Sequence, residues 1–406
     1  MQIAHFTGVG IRASCQTRYP TQFSSSASSN QLRRRVFRRY YSKMPLSLQE
    51  FLKSAACDLP CPRDPKLPLA KQLARMHSAF LKGLKGVDPN DPCRRSSIAQ
   101  QKLIKQSSFH ISKAVAEYLN GSPFKAATEM RAGLRLLRPH LEQLIARRQD
   151  LSNLFRVREV DTLANAQRKD IFHVPFELRH RVTTQRYSIS GWPSLYLGAS
   201  LMVCWEEVGR PAFHKLAVAN FDAEKSLNVL DFGYRPTVIA DLHSPKDENE
   251  ISFFTPQFMT SYLICWPLLA ACSIEAEHRG SPFIEEYIVP QLLLQWLRDE
   301  EFKIDGIRYF SMRVHQTWQA PRLAINYVFP VRTDAATGHC NELKKRFTFT
   351  LPVPWNILEG VNLETAAVPR ANEPYLLNSE VGVVYDDTVF GKLEPLFGPL
   401  PKQPLA

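Results

Sequence analysis

Apolar residues recur along this chain with two different rhythms, and the change falls near residue 150. Before it they return every three or four positions, the spacing of an amphipathic helix. Leu69, Leu73, Met76, Phe80 and Leu84 form one stripe. Ile98, Leu103, Ile111, Val115 and Leu119 mark a second across residues 97–119, and Ala126, Met130, Leu134, Leu137, Leu141 and Leu144 a third from about Ser122. Ser47 is placed to cap a shorter helix reading through to Cys57, after which Pro60, Pro62 and Pro65 break the chain. Pro139 is expected to kink or interrupt the last of these helices.

Beyond residue 150 short strands appear among the helices. Residues 183–188 are a β-branched and aromatic run that suits a strand. Gly191-Trp192-Pro193 then turns the chain, Leu195-Tyr196-Leu197 reads as a second strand, and Gly198 stops it. Ser200 is a good N-cap for a helix carrying Leu201, Cys204, Trp205 and Val208 up to Gly209. Residues 215–221 and 227–232 have strand patterning, and 284–297 that of a helix. Residues 262–274 are apolar, but that length falls short of the ~20 residues needed to cross a bilayer. They read as a buried helix containing Pro267, so no membrane association is expected. The fold class is α+β, a helical N-terminal bundle followed by a mixed sheet-and-helix domain. The divisions are a basic leader at 1–45, the helical domain at 46–150, the mixed domain at 151–340 and a Pro-rich extension at 341–406.

Charge sharpens this picture at the N-terminus. Of a formal net charge of +12, residues 1–43 carry eight Lys or Arg and no acid, which leaves +4 for the rest. That remainder gives no reason to expect a nucleic-acid partner. The leader contains a Ser-rich run and the block Arg33-Arg34-Arg35-Val36-Phe37-Arg38-Arg39. It reads as a disordered or untranslated segment ahead of a start at Met44, as an organelle transit peptide, or as a basic contact for nucleic acid. It lacks the apolar core of a secretory signal, so the expected compartment is the cytoplasm, with organelle import as the alternative. The eight Cys are scattered. Cys57, Cys61 and Cys93 lack the second half of a zinc pattern, so no metal is expected. Cys204, Cys265 and Cys272 read as buried free thiols.

The candidate chemistry lies between residues 186 and 207. A strand, a turn, a strand and a helix there carry Arg186, Tyr196 and Glu207, a series that can bring a guanidinium, a phenol and a carboxylate to one cleft. An Arg offers a planar fork for phosphate, a Tyr a face for a flat ring. A carboxylate can hold a sugar hydroxyl and stabilise positive charge at an anomeric carbon. The same three residues equally suit a surface Arg, a core Tyr and a solvated Glu.

A resemblance adds to this. The stretch resembles the core of the RES domain family, in which an Arg is followed ten residues later by a Tyr in a "p-x-L-Y-L/A" strand and about eleven later by a Glu. Arg186, Tyr196 and Glu207 have that spacing, and Glu207 fits it better than Glu206. The family's "D-G-I-x-Y-x-S" strand is matched by Asp305-Gly306-Ile307-Arg308-Tyr309-Phe310-Ser311, and its "F-H-V-P" segment by Phe172-His173-Val174-Pro175. The resemblance covers roughly residues 150–335. It implies an ADP-ribosyltransferase-like fold and a toxin that consumes NAD⁺ by hydrolysis or phosphorolysis, with NAD⁺ as substrate, no bound cofactor and inorganic phosphate as an optional co-substrate. Arg186 would grip the dinucleotide, Tyr196 stack near the nicotinamide, Glu207 stabilise the oxocarbenium-like transition state and Ser311 hydrogen-bond the substrate. His173, a lone His among apolar residues, is read as structural.

The same resemblance implies a helix-turn-helix antitoxin as partner and a HEPN-like identity for the helical domain. HEPN ribonucleases use Arg-x4-His, and Arg135 and His140 have that spacing, though with Pro139 between them. A ribonuclease and a non-catalytic nucleotide sensor are therefore the alternative readings. The oligomeric state is not legible.

Overall fold

The computed structural model describes residues 45–148, 151–159, 166–242, 254–299, 304–314, 322–333, 335–360, 376–378 and 383–406. The expectations about the leader fall on residues outside this set. Five helices open the described chain: α1 (Leu48–Leu52), α2 (Leu69–Lys85), α3 (Pro92–Ala99), α4 (Gln101–Leu119) and α5 (Pro123–Gln143). Ser47 caps α1 in a capping box with Glu50. The helix ends at Leu52 rather than Cys57, because the chain turns from Ser54 onward and so carries Cys57 and Leu59 into the core. Residues 97–119 divide at Gln100 between α3 and α4. Pro139 does not interrupt α5. It lies on the exposed side, where water can satisfy the Arg135 carbonyl that the missing N–H leaves free.

The sheet has ten strands: β1 (Ile145–Arg148), β2 (Leu154–Glu159), β3 (Ser194–Gly198), β4 (Leu216–Ala223), β5 (Leu227–Phe232), β6 (Gly306–Phe310), β7 (Ile325–Pro330), β8 (Phe347–Phe349), β9 (Val353–Pro354) and β10 (Gln403–Pro404). Their order is β1-β5-β6-β7-β3-β2-β4-β8-β10, with β9 also pairing β4. Every pairing is antiparallel except β5 with β6. An α+β fold is what the sequence implies, and it is what forms.

Residues 183–188 are a correction: they form no strand. The two places beside β3 are taken by β2 and β7. The run instead folds on itself, with Gln185 and Ser188 exchanging backbone hydrogen bonds and Gly191 N–H donating to the Val182 carbonyl. The Gln291 side-chain amide donates to the Gln185 and Ser188 carbonyls and completes the pairing that a strand neighbour would have given.

Three further elements position the site. Helix α6 (Leu201–Glu207) follows β3 directly, with Ser200 as its N-cap accepting from Val203 N–H. The join is tight, since a Cβ at Gly198 would lie 2.5 Å from Cys204 Sγ. Helix α7 (Pro256–Cys272) has every residue from Ser261 to Cys272 buried, the mark of a core helix rather than a surface one. It packs against α3, α4 and α5, and Trp266 stacks on Phe80 of α2 with centroids 4.2 Å apart. Helix α8 (Ile288–Asp299) lies beside α4 and α5.

Residues Leu46–Ala406 make up one compact unit. One hydrophobic cluster runs from Leu48 in α1 to Phe349 in β8. A second, beneath α6, joins Leu201 and Val203 to Trp355, Leu393 and Phe397 of the C-terminal segment. The bundle thus shares its core with the sheet, and the C-terminal segment supplies three strands and part of the support for α6. Among the described residues no helix is long and apolar enough to cross a membrane.

Candidate active site

Strands β2 and β3 pair only at Phe155 and Gly198. Beyond that bridge a cavity of about 570 Å³ opens between them, lined by β2 on one side, β3 on the other, the 181–188 loop, the end of α6 and the segment before α8. Arg186, Tyr196 and Glu207 all line it.

Arg186 is buried, and its Nη1 donates to the Cys272 and Ile274 carbonyls at 3.0 Å each, where α7 ends. Its guanidinium lies over the Tyr287 ring, 4.9 Å from the centroid. All of these partners are neutral, so the positive charge is oriented without being cancelled.

Tyr196 comes from β3, with its hydroxyl 2.8 Å from Ser188 Oγ. Ser188 Oγ also bonds Ser194 Oγ at 2.8 Å, so the Tyr196 hydroxyl is held in a short chain of hydroxyls in which either it or Ser188 can be the donor. Burial pushes the Tyr196 pKa up, so it acts as a neutral phenol.

Glu207 ends α6. Its Oε1 accepts from Ser311 Oγ and from Asn326 Nδ2, each at 2.7 Å, while Oε2 lies 3.3 Å from Arg313 Nε. The side chain is 33% exposed, enough to meet a ligand in the cavity. Ser311 is fully buried and accepts from the Arg313 N–H, so it reaches the cavity through Glu207 rather than directly. Glu206 points elsewhere, buried in an ion pair with Arg210. The choice between the two adjacent carboxylates, which periodicity leaves open, is made by the packing of α6.

Several wall residues escaped the sequence reading. Among the described residues, Arg156, Arg158, Arg181, Arg279 and Arg313 join Arg186 around the cavity, against only Glu159 and Glu207. Arg156 donates to the Tyr196 carbonyl at 2.6 Å and Arg158 to the Asp170 carbonyl at 2.5 Å, again neutral acceptors. Burial pulls the pKa of both down, with Arg158 also working against Arg156, so an anion arriving there would relieve both. The alternation Phe155-Arg156-Val157-Arg158 was the available signal, a strand with one basic face. Asn326 gave no such signal, because an Asn at the start of a strand is indistinguishable from a turn residue.

Other predicted positions lie elsewhere. His173 is buried, with Nε2 accepting from Cys340 N–H, and burial lowers its pKa to about 3. His140 bridges Gln100 and Ser261 at the α5–α7 contact, while Arg135 is exposed on the same helix. Cys204, Cys265 and Cys272 are buried free thiols. Among the described residues no three His, Cys, Asp or Glu converge as metal ligands do.

No family model matches this chain, and no solved structure matches it. A curated relative does: "Putative toxin YopC" of Bacillus subtilis (strain 168), 31% identical over 350 residues, covering 83% of this chain and 77% of the relative. Agreement of that depth over most of both chains places this protein in the family of "Putative toxin YopC".

Proposed function

We propose that this protein is a toxin that consumes NAD⁺ by cleaving the bond between nicotinamide and ribose, as the RES resemblance implies. The observation that carries the reading is the Glu207 carboxylate, clamped by Ser311 and Asn326 and facing a cavity with six arginines. As the C–N bond breaks, nicotinamide leaves with the electron pair and positive charge spreads over the ribose C1′ and ring oxygen. A fixed carboxylate stabilises that charge, and its exposed oxygen can accept the 2′-hydroxyl proton of the same sugar. The arginines offer the pyrophosphate charge-assisted hydrogen bonds. Tyr196 offers the leaving base a neutral aromatic wall. An oxygen of water or of inorganic phosphate then bonds to C1′ and loses its proton to solvent. No metal is invoked, because the leaving base already carries positive charge. The toxin role rests on the relative's name, and an antitoxin partner, of helix-turn-helix type by the same resemblance, belongs to that role.

The test is NAD⁺ loss and nicotinamide release by the purified chain, with and without phosphate, alongside Glu207→Gln. Gln keeps the size and one acceptor but loses the charge, so turnover should fall at least ~10³-fold. Acceleration by phosphate would name the acceptor. An unaltered rate in Glu207→Gln would sink the reading.

A further inference from the structure

The +4 carried by the chain after residue 43 is unevenly placed. Residues 71–113 hold nine Lys or Arg and two Asp, a net +7, which leaves −3 for everything else beyond the leader. Both Asp serve locally: Asp88 accepts from Asn90 N–H and Asp91 caps α3 by accepting from Arg94 N–H. Helices α2 and α3 contain no acidic residue.

The cations are also aligned. Lys71, Arg75, Lys82 and Lys85 fall within one stripe of α2 at helical spacing, about 21 Å long at 1.5 Å per residue. Lys102, Lys105, Phe109 and Lys113 form a stripe on α4. Lys82, Lys85, Lys105 and Phe109 line one groove between the two helices, floored by Leu81 and Ile104. Lys71, Arg75, Lys82, Lys85, Lys102 and Lys105 are all exposed. Lys113 pairs with Glu129, whereas no ion pair among the described residues engages the other six. Several of these like charges stand within about a Debye length of one another and repel, a cost that no ion-pair partner among the described residues offsets. Phe109 is 61% exposed beside them, an aromatic ring open to solvent at the edge of a basic groove.

We propose that the α2–α4 face binds single-stranded nucleic acid, with the lysines and Arg75 following the phosphates and an unpaired base stacking on Phe109. The stacking ring is what separates this partner from an acidic protein, which would satisfy the lysines equally but has no regular use for an exposed Phe. The surface is independent of the β2–β3 cavity and does not rest on NAD⁺ cleavage.

Anisotropy of labelled oligo(dT) and oligo(U) with the full chain, over a range of salt, tests it. Lys82→Glu/Lys85→Glu/Lys105→Glu should weaken binding of both at least about tenfold and flatten the salt slope by about 2, at roughly 0.7 per phosphate contact. Phe109→Ala should weaken single-strand binding about tenfold at unchanged salt slope and leave duplex binding alone. Preference for oligo(U) over oligo(dT), or the reverse, distinguishes RNA from DNA. The leader is basic too, so a variant with Arg33, Arg34, Arg35, Arg38 and Arg39 replaced by Gln is measured in parallel. If that variant alone abolishes binding, or if polyglutamate competes as well as oligonucleotide and Phe109→Ala is silent, the proposal is overturned.

Discussion

The two walls of the β2–β3 cavity hold their key side chains by opposite means. Arg186 is fixed by backbone: two carbonyls at the C-terminal end of α7 take its Nη1, and the Tyr287 ring lies against its face. Glu207 is fixed by side chains, Ser311 and Asn326 on one oxygen and Arg313 on the other. The difference follows from what each group has to offer a ligand. A guanidinium anchored by neutral carbonyls keeps its whole charge for an anion. A carboxylate with one oxygen saturated by neutral donors is aimed, and its second oxygen can exchange Arg313 for a sugar. Under the proposed function, the first wall would serve binding and the second would respond to charge that develops during the reaction.

Each wall also leans on chain outside residues 151–340. Behind Arg186, Cys61 pairs with Ile274: Cys61 N–H donates to the Ser273 carbonyl, and the Cys61 carbonyl accepts from Glu275 N–H. Arg63 ties the same segment to Glu285, two residues before Tyr287. Behind Glu207, Glu394 accepts from Leu201 N–H at the start of α6 and from the buried Tyr385 hydroxyl. The N-terminal helical part therefore braces the binding wall, and the C-terminal segment braces the responding one.

Arg186→Lys should give the largest change that separates the walls. A lysine keeps the charge but loses the planar fork and the stacked face, so it cannot bond both carbonyls and still present a second edge. Substrate affinity should fall roughly a hundredfold, about 2.7 kcal/mol, with a smaller change in kcat. Binding of a non-cleavable dinucleotide by calorimetry, beside steady-state kinetics, measures both. A fall confined to kcat would erase the distinction between the walls.

Glu394→Ala is the matching cut on the other side. It strips the Leu201 N–H and the Tyr385 hydroxyl of a shared, half-buried acceptor, at a cost of about 1–3 kcal/mol in stability. By loosening the start of a seven-residue helix it should lower kcat about tenfold, with little change in KM. Glu394→Gln keeps an acceptor oxygen and should recover much of the loss. Denaturant unfolding beside kinetics separates positioning from mere unfolding: a variant that recovers stability but not kcat would refute the brace.

How much of this was legible follows the same division. Helix α6 was readable because Ser200, its apolar spacing and Gly209 are local signals, and so was β3 between Pro193 and Gly198. Helix α7 was readable from its apolar run alone. The strand expected at residues 183–188 was not, because β propensity records suitability for a pleated neighbour and says nothing of whether β2 and β7 already occupy the places beside β3. The placing of Arg186 depends on carbonyls some 86 residues away in sequence, and the choice of Glu207 over Glu206 on Ser311 and Asn326, more than a hundred away. Such partners carry no periodic signal. Nor does Glu394, an unremarked acid in a Pro-rich tail, announce that it caps a helix 193 residues earlier.

Arg63→Lys should produce the smallest effect and sharpens the comparison most. Arg63 Nε reaches Glu285 at 2.7 Å and Nη1 reaches Gln72 at 2.9 Å, with Glu286 within ion-pair range. Lysine retains the charge, so the buried Glu286 carboxylate is not left uncompensated, while the fork and the Nη1 bonds to Gln72 and to the Asp64 carbonyl are lost. The expected cost is about 1 kcal/mol of stability. Slackening here should pass through Tyr287 and the Ile274 segment to Arg186, raising KM a few-fold while kcat holds. The helical part would then be a brace for substrate binding. If Arg63→Lys instead lowers kcat at constant KM, the N-terminal segment is coupled to the Glu207 wall, and the assignment of one brace to each wall is wrong.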